Sequence, residues 1–243
     1  MQKAIYYCYK NFRVVKPHWS KFRVSYYCIL SFYAFAKQRF DSILFLTSGK
    51  VRHKTGVINK EIVEEIYKKK GAIFISIHAG SYPVLGKIYN DHFSDRKLIV
   101  PFYNHNRLSI FDFFRNRFKK YGIEVVSLGG SMKDIRPVLL RGGSVVLFLD
   151  AELPVRHTEK VTMFNKRIEL STGALWLARK YDLAIIPVCI NKKNGRLNAH
   201  FYEQIEYKNK GDAPVMQEIA NKLEKMVLKN LKTWHVYDQF LLR

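Results

Sequence analysis

The sequence predicts an α/β fold: a mostly parallel central sheet covered by helices, preceded by basic amphipathic N-terminal helices. Three observations predict it. Five short apolar runs lack polar alternation, as strands buried on both faces do. Helical stretches separate those runs, the alternation that parallel sheets require. The length of 243 residues, with 48% hydrophobic and 14% aromatic content, is enough to bury the core of one large domain spanning 1–243.

Each element has its own signal. Residues 1 to about 48 read as helical and amphipathic, until Thr47-Ser48-Gly49-Lys50 breaks the pattern. Asn59 is placed to cap a helix over 61–67 that runs into Lys68–Lys70, with Gly71 as its stop. Acids in the first turn of that helix and lysines in its last agree with the helix dipole. The apolar runs at 72–77, 97–100, 123–126, 144–149 and 183–188 are the buried strands. Helices fill 81–91, 108–121, 131–140 and 171–181, and Gly129-Gly130-Ser131 is a turn leading into the third of these. Residues 197–202 suit an antiparallel addition near the sheet edge. A last helix over 214–231 has Asp212 near its start and apolar Ile219, Leu223, Met226 and Val227 along one face.

Charge is the strongest compositional feature, at +22 net, and it is uneven. Residues 1–60 hold twelve Lys or Arg against a single acid, Asp41. Such an excess attracts nucleic acid, anionic lipid or an acidic protein. Aromatic residues interleave with these cations, from Tyr6 and Tyr7 through Trp19 and Phe22 to Phe40. That mixture suits a membrane interface, where rings sit at headgroup level and cations reach phosphates. Helices that simply expose a basic face while packing on the core give the same pattern. The apolar stretch at 24–36 is too short to span a bilayer before Lys37 and Arg39, and no cleavage pattern follows it. Nucleic-acid binding would explain the charge, but no motif for it is recognisable.

Several chemistries are disfavoured. Cys8, Cys28 and Cys189 are far apart and odd in number, and read as reduced, buried thiols. His78, His92 and His105 lack metal-ligand spacing, so no metal is expected. The stretch 80–88 has one residue too many between its glycines for a P-loop, and Ile88 stands where a magnesium-holding hydroxyl belongs. No Gly-x-Ser-x-Gly nucleophile elbow occurs. In open α/β sheets, ligands sit at the carboxyl ends of strands. Two polar clusters fall there: Ser76-Ile77-His78-Ala79-Gly80-Ser81, and Asp150-Ala151-Glu152. Were the two strands neighbours, His78 and Asp150 would face one crevice. A histidine at a strand end with Ala79-Gly80 beside it can act as a general base, or can merely brace its loop.

Four blocks in order resemble the bacterial lipid A late acyltransferases of the lysophospholipid acyltransferase superfamily. They are ISIHAGSYPVLG; VPFYNHNRL followed by FFRNRFKKYGIEVV; IRPVLLRGGSVVLFLDAELP; and TMFNKRIELSTGALWLARKYDLAIIPV, with a weaker echo in Trp234. The resemblance implies acyl transfer from an acyl carrier protein or coenzyme A thioester to a hydroxyl or amine, with His78 as base and no bound cofactor. It implies a peripheral place on the cytoplasmic side of the inner membrane, with an anionic membrane surface, acyl carrier protein or a protein complex as partner. Arg117 is implied as a phosphate ligand, although an exposed helix charge reads the same way. The resemblance also implies that Asp150 supports the site floor, and Ser81, Asn104, Glu152, Thr172 and Gly173 are further candidates for substrate binding. For Thr172 and Gly173, ordinary helix capping is the competing reading. The stretch before His78 is shorter than in relatives with a full membrane helix, which counts against lipid A itself as acceptor. One departure matters. The family places a carboxylate five residues after the histidine, where this sequence has Pro83. The acid is then supplied elsewhere, with Asp150 and Glu152 as candidates, or the acceptor is an amine needing less help, or the site is silent and the protein binds without catalysis.

Overall fold

A computed structural model describes residues 2–102, 110–128, 131–151 and 157–242, with backbone alone over 110–114. The chain begins with two helices, α1 (Gln2–Val15) and α2 (Lys21–Ser48). The expected N-terminal helices are present, and the break between them is one the sequence pattern did not place. Pro17 lies in the break, and the Ser20 hydroxyl caps α2 by accepting from Arg23 N–H. Gly49, at φ 70°, ends α2 in the left-handed conformation that glycine adopts without strain.

Strand β1 (Thr55–Ile58) and helix α3 (Lys60–Tyr67) follow. Asn59 does precede α3, but at φ 58° and without a capping bond; its amide donates to Phe201 O at 2.8 Å instead. Gly71 is not the helix stop either, since the C-cap is Lys68. A Cβ on Gly71 would lie 1.7 Å from Gly143 O, so close backbone approach is what requires glycine there.

The rest alternates as predicted: β2 (Ala72–Ser76), α4 (Val84–His92), β3 (Leu98–Phe102), α5 (Ile110–Lys120), β4 (Ile123–Ser127), α6 (Met132–Leu140) and β5 (Ser144–Phe148). A hairpin of β6 (Thr158–Met163) and β7 (Lys166–Ser171) intervenes before α7 (Gly173–Tyr181), β8 (Ala184–Lys193), β9 (Arg196–Phe201) and α8 (Asp212–Asn230). The chain then makes a 3-10 turn, Leu231–Thr233. The main sheet has seven strands in the order β1-β9-β8-β2-β5-β3-β4. Every pairing is parallel except β8 with β9. The antiparallel β9 is present, but β1 pairs outside it and forms the edge.

Buried apolar side chains fill both faces of the sheet. On one, Ile73, Ile75, Val145 and Ile185 pack with α6, α7 and α8. On the other, Phe74, Val146 and Ile186 meet Val63 of α3 and Val84, Leu85 and Ile88 of α4. Strands buried this way need no polar face, which is why they read as continuous apolar runs. The three cysteines are buried free thiols, as expected.

Candidate active site

The register of two neighbouring strands builds the site. In the parallel pair β2–β5, Ser76 lies opposite Phe148. Two residues beyond each, at the carboxyl ends, stand His78 and Asp150. The two meet: His78 Nδ1 is 2.7 Å from Asp150 Oδ1, and His78 backbone N–H donates to Asp150 Oδ2 at 2.7 Å. The indole N–H of Trp234 donates to the same Oδ2 at 2.9 Å. Asp150 is 1% exposed. A carboxylate only accepts, so this arrangement places the imidazole proton on Nδ1 and leaves Nε2 to act on a substrate.

The imidazole is held from its sides as well. Its ring is tilted against Phe148 at 4.6 Å between centroids and meets Tyr82 edge-on at 5.0 Å. The segment at the end of the 3-10 turn braces its backbone, because His235 N–H donates to His78 O at 2.8 Å and Gly80 N–H donates to Thr233 O at 2.9 Å. Burial pushes His235 itself down to about 4, partly countered by its bond to Gly80 O, so its ring is neutral at ordinary pH. Burial also raises the Tyr82 phenol.

His78 lines a cavity of about 340 Å³. Its walls come from α2 (Gln38, Arg39, Ser42, Leu46), the start of α4, strands β3 to β5 and Phe118. The strand residues involved run from Phe148 at the His78 end down to Ile123 at the start of β4. Most of the lining is apolar, with Val100, Val125, Leu128, Val146 and Leu147 among it, and polar groups gather near α2 and His78. An apolar cleft with a few convergent polar groups is the ordinary form of a small-molecule site. Arg39 is a cation in this lining, its guanidinium 4.7 Å from the Phe35 ring centroid.

The other residues singled out in the sequence are scattered. Ser81 is buried and donates to Asp41 Oδ2 at 3.3 Å, while Asp41 is paired with Arg52 at 2.6 Å. It ties α2 to the His78 loop and does not line the cavity. Arg117 lies in the last turn of α5, beside Phe118, which does line it. Thr172 and Gly173 start α7, where Thr172 Oγ donates to His157 O and Gly173 N–H to Ser171 Oγ, and the Thr172 side chain makes no capping bond to the helix. Asn104 and Glu152 lie outside the described residues. Pro83, where a carboxylate was sought, is the N-cap residue of α4 and lines the cavity. Among the described residues no group of His, Cys, Asp or Glu could hold a metal ion.

Sequence reasoning did not find Trp234 as a partner of Asp150. The two are 84 residues apart, and no spacing rule links an indole to a carboxylate at that distance.

The family model described as bacterial lipid A biosynthesis acyltransferase matches residues 30–242, which takes in the α2 wall, the His78–Asp150 pair and Trp234. No curated protein matches the sequence.

Proposed function

Since the chain belongs to the bacterial lipid A biosynthesis acyltransferase family, we propose that His78 is its general base and that Asp150 supplies the carboxylate absent at position 83. The single observation that carries this reading is the 2.7 Å contact between His78 Nδ1 and a buried Asp150 beside an apolar cavity. Nε2 takes the proton of an acceptor hydroxyl or amine. The acceptor oxygen or nitrogen then attacks the carbonyl carbon of an acyl thioester. The carbon–sulfur bond breaks, and the leaving thiolate recovers the proton from the imidazolium. Asp150 orients the ring before the step and offsets its charge during it. The thioester is carried by acyl carrier protein or coenzyme A, and the apolar cavity takes the acyl chain.

The protein works at an anionic membrane surface, peripherally, on the cytoplasmic side of the inner membrane. No described helix is long and apolar enough to cross a membrane. One face of α2, however, exposes Phe22, Tyr26, Ile29, Tyr33, Phe40 and Ile43, a stripe whose members stand three, four or seven residues apart. Lys21, Arg23, Lys37 and Arg39 accompany it. Rings and aliphatic side chains of this kind enter the headgroup region while flanking cations meet lipid phosphates.

The test is thiol release from acyl carrier protein and coenzyme A thioesters, with and without lipid extract. Release that depends on extract and disappears in His78→Ala supports catalysis, and the acylated product names the acceptor. No release by either protein across several acyl lengths would favour a silent, lipid-binding relative, the reading to which Pro83 gives weight. For the membrane, Phe22→Glu combined with Phe40→Glu is expected to abolish cosedimentation with anionic vesicles; retention would refute the α2 stripe as the contact.

A further inference from the structure

Trp234 is fully buried and packs edge-on against Phe12, with 6.1 Å between ring centroids. Packing alone would not settle what it does. Its surroundings are more specific. Residues 233–235 run alongside the His78 loop as a short antiparallel ladder, with Ala79 bridged to Trp234 and backbone bonds on either side. The Ser31 hydroxyl of α2 donates to Trp234 O, fixing the backbone from the opposite direction. The indole is thereby aimed at one atom, Asp150 Oδ2, which also takes His78 N–H.

A buried indole N–H needs an acceptor, and any backbone carbonyl would serve. Here the acceptor is the carboxylate that holds the imidazole. Two N–H donors on Oδ2 pin the carboxylate by one oxygen and turn Oδ1 toward His78 Nδ1. The structure assigns Trp234 as a positioning residue for acyl transfer, acting through Asp150 on His78. The assignment rests on His78 being the base. Without the indole N–H, Oδ2 keeps one donor and the carboxylate can rotate about it. Its negative charge is also less offset, so it holds an imidazolium more tightly.

The direct test is nuclear magnetic resonance on the wild-type protein and Asp150→Asn, with nitrogen-15-labelled Trp and His. The Trp234 indole N–H resonance should move in Asp150→Asn and should report the titration of His78. In Trp234→Phe, the His78 imidazole should titrate at higher pH while its neighbours Tyr82 and His235 remain in place. Turnover should fall about 10- to 100-fold, the range expected for losing a hydrogen bond to a charged group, with KM little changed. An indole resonance blind to Asp150→Asn would overturn the assignment. So would a Trp234→Phe protein whose activity falls while His78 titrates unchanged, since that marks packing alone. If Trp234→Phe does not fold, the wild-type and Asp150→Asn resonances decide. If wild type transfers no acyl group, His78 as base fails, yet the resonances still report whether the indole governs the pair.

Discussion

Asp150→Asn is the sharpest perturbation of the site, because the geometry decides how asparagine must sit. Asp150 takes His78 N–H and Trp234 N–H on Oδ2 and faces His78 Nδ1 with Oδ1. Asparagine has one oxygen and one NH2. With its oxygen toward Nδ1, two buried N–H donors would face an NH2, at about 1–3 kcal/mol each. With its oxygen in the Oδ2 position, both donors stay satisfied and the NH2 points at His78 Nδ1. The second orientation wins by a few kcal/mol. It then donates to Nδ1, which drives the imidazole proton to Nε2 and removes the base. The wrong tautomer in a comparable carboxylate–histidine pair costs about 10⁴ in rate, or roughly 5 kcal/mol of barrier. The variant should therefore fold with little loss of stability and lose turnover by about that factor. Thioester turnover, together with imidazole nitrogen shifts that identify the tautomer, measures both halves. Turnover within tenfold of wild type, or a proton still on Nδ1, would refute the reasoning.

Pro83→Ala should cost far less turnover than Asp150→Asn, because Asp150 is the carboxylate facing His78 Nδ1, whereas Pro83 begins α4 and adds an apolar side chain to the cavity wall; a loss comparable to that of Asp150→Asn would contradict this. His235 gives stability a pH dependence of known sign. Its folded value near 4 lies below the ordinary 6.5, so the unfolded chain binds the proton first. Its contribution is complete above about pH 6.5 and is lost as pH falls toward 4, about 3 kcal/mol in all. Urea titrations across that window should show the slope, and His235→Gln should flatten it. Gly71→Ala places a Cβ 1.7 Å from Gly143 O, which only a backbone shift can relieve. A loss of at least about 1–3 kcal/mol should follow, seen as a Tm lower by several degrees.

The sequence was most legible where burial is two-sided. The runs at 72–77 and 144–149 are apolar except for the buried Ser76 and Ser144, because helices cover both faces and no exposed face interrupts the signal. The hairpin β6–β7 went unread for the opposite reason. Its buried positions, Val161, Met163, Ile168 and Leu170, alternate with exposed ones along short, charged strands. Its turn is also chemically disguised. Phe164 and Asn165 both have positive φ, at 52° and 59°, where Asn-Gly or Asp-Gly would advertise a hairpin. Pro17 and Ser20 do carry a break-and-cap signal, overlooked because the aromatic pattern continues across them.

The candidate site was half legible, and the division has a physical cause. His78 and Asp150 each stand two residues past the end of a buried strand, so only the adjacency of β2 and β5 was missing to place them together. Adjacency in a parallel sheet is a property of crossovers, which local pattern does not encode. Once it is given, register does the rest. The same argument explains how Pro83 is compatible with a working base. What an imidazole requires is a carboxylate on Nδ1 while Nε2 faces the substrate, and a turn-of-helix position and a neighbouring strand end can both meet that demand. The strand end has the better support here, because Asp150 is fixed by the His78 backbone on one side and by Trp234 on the other. A carboxylate held by two donors that the fold already orders loses little freedom when it takes a third. That rigidity would let a strand-borne acid do the work of the family's helix-borne one.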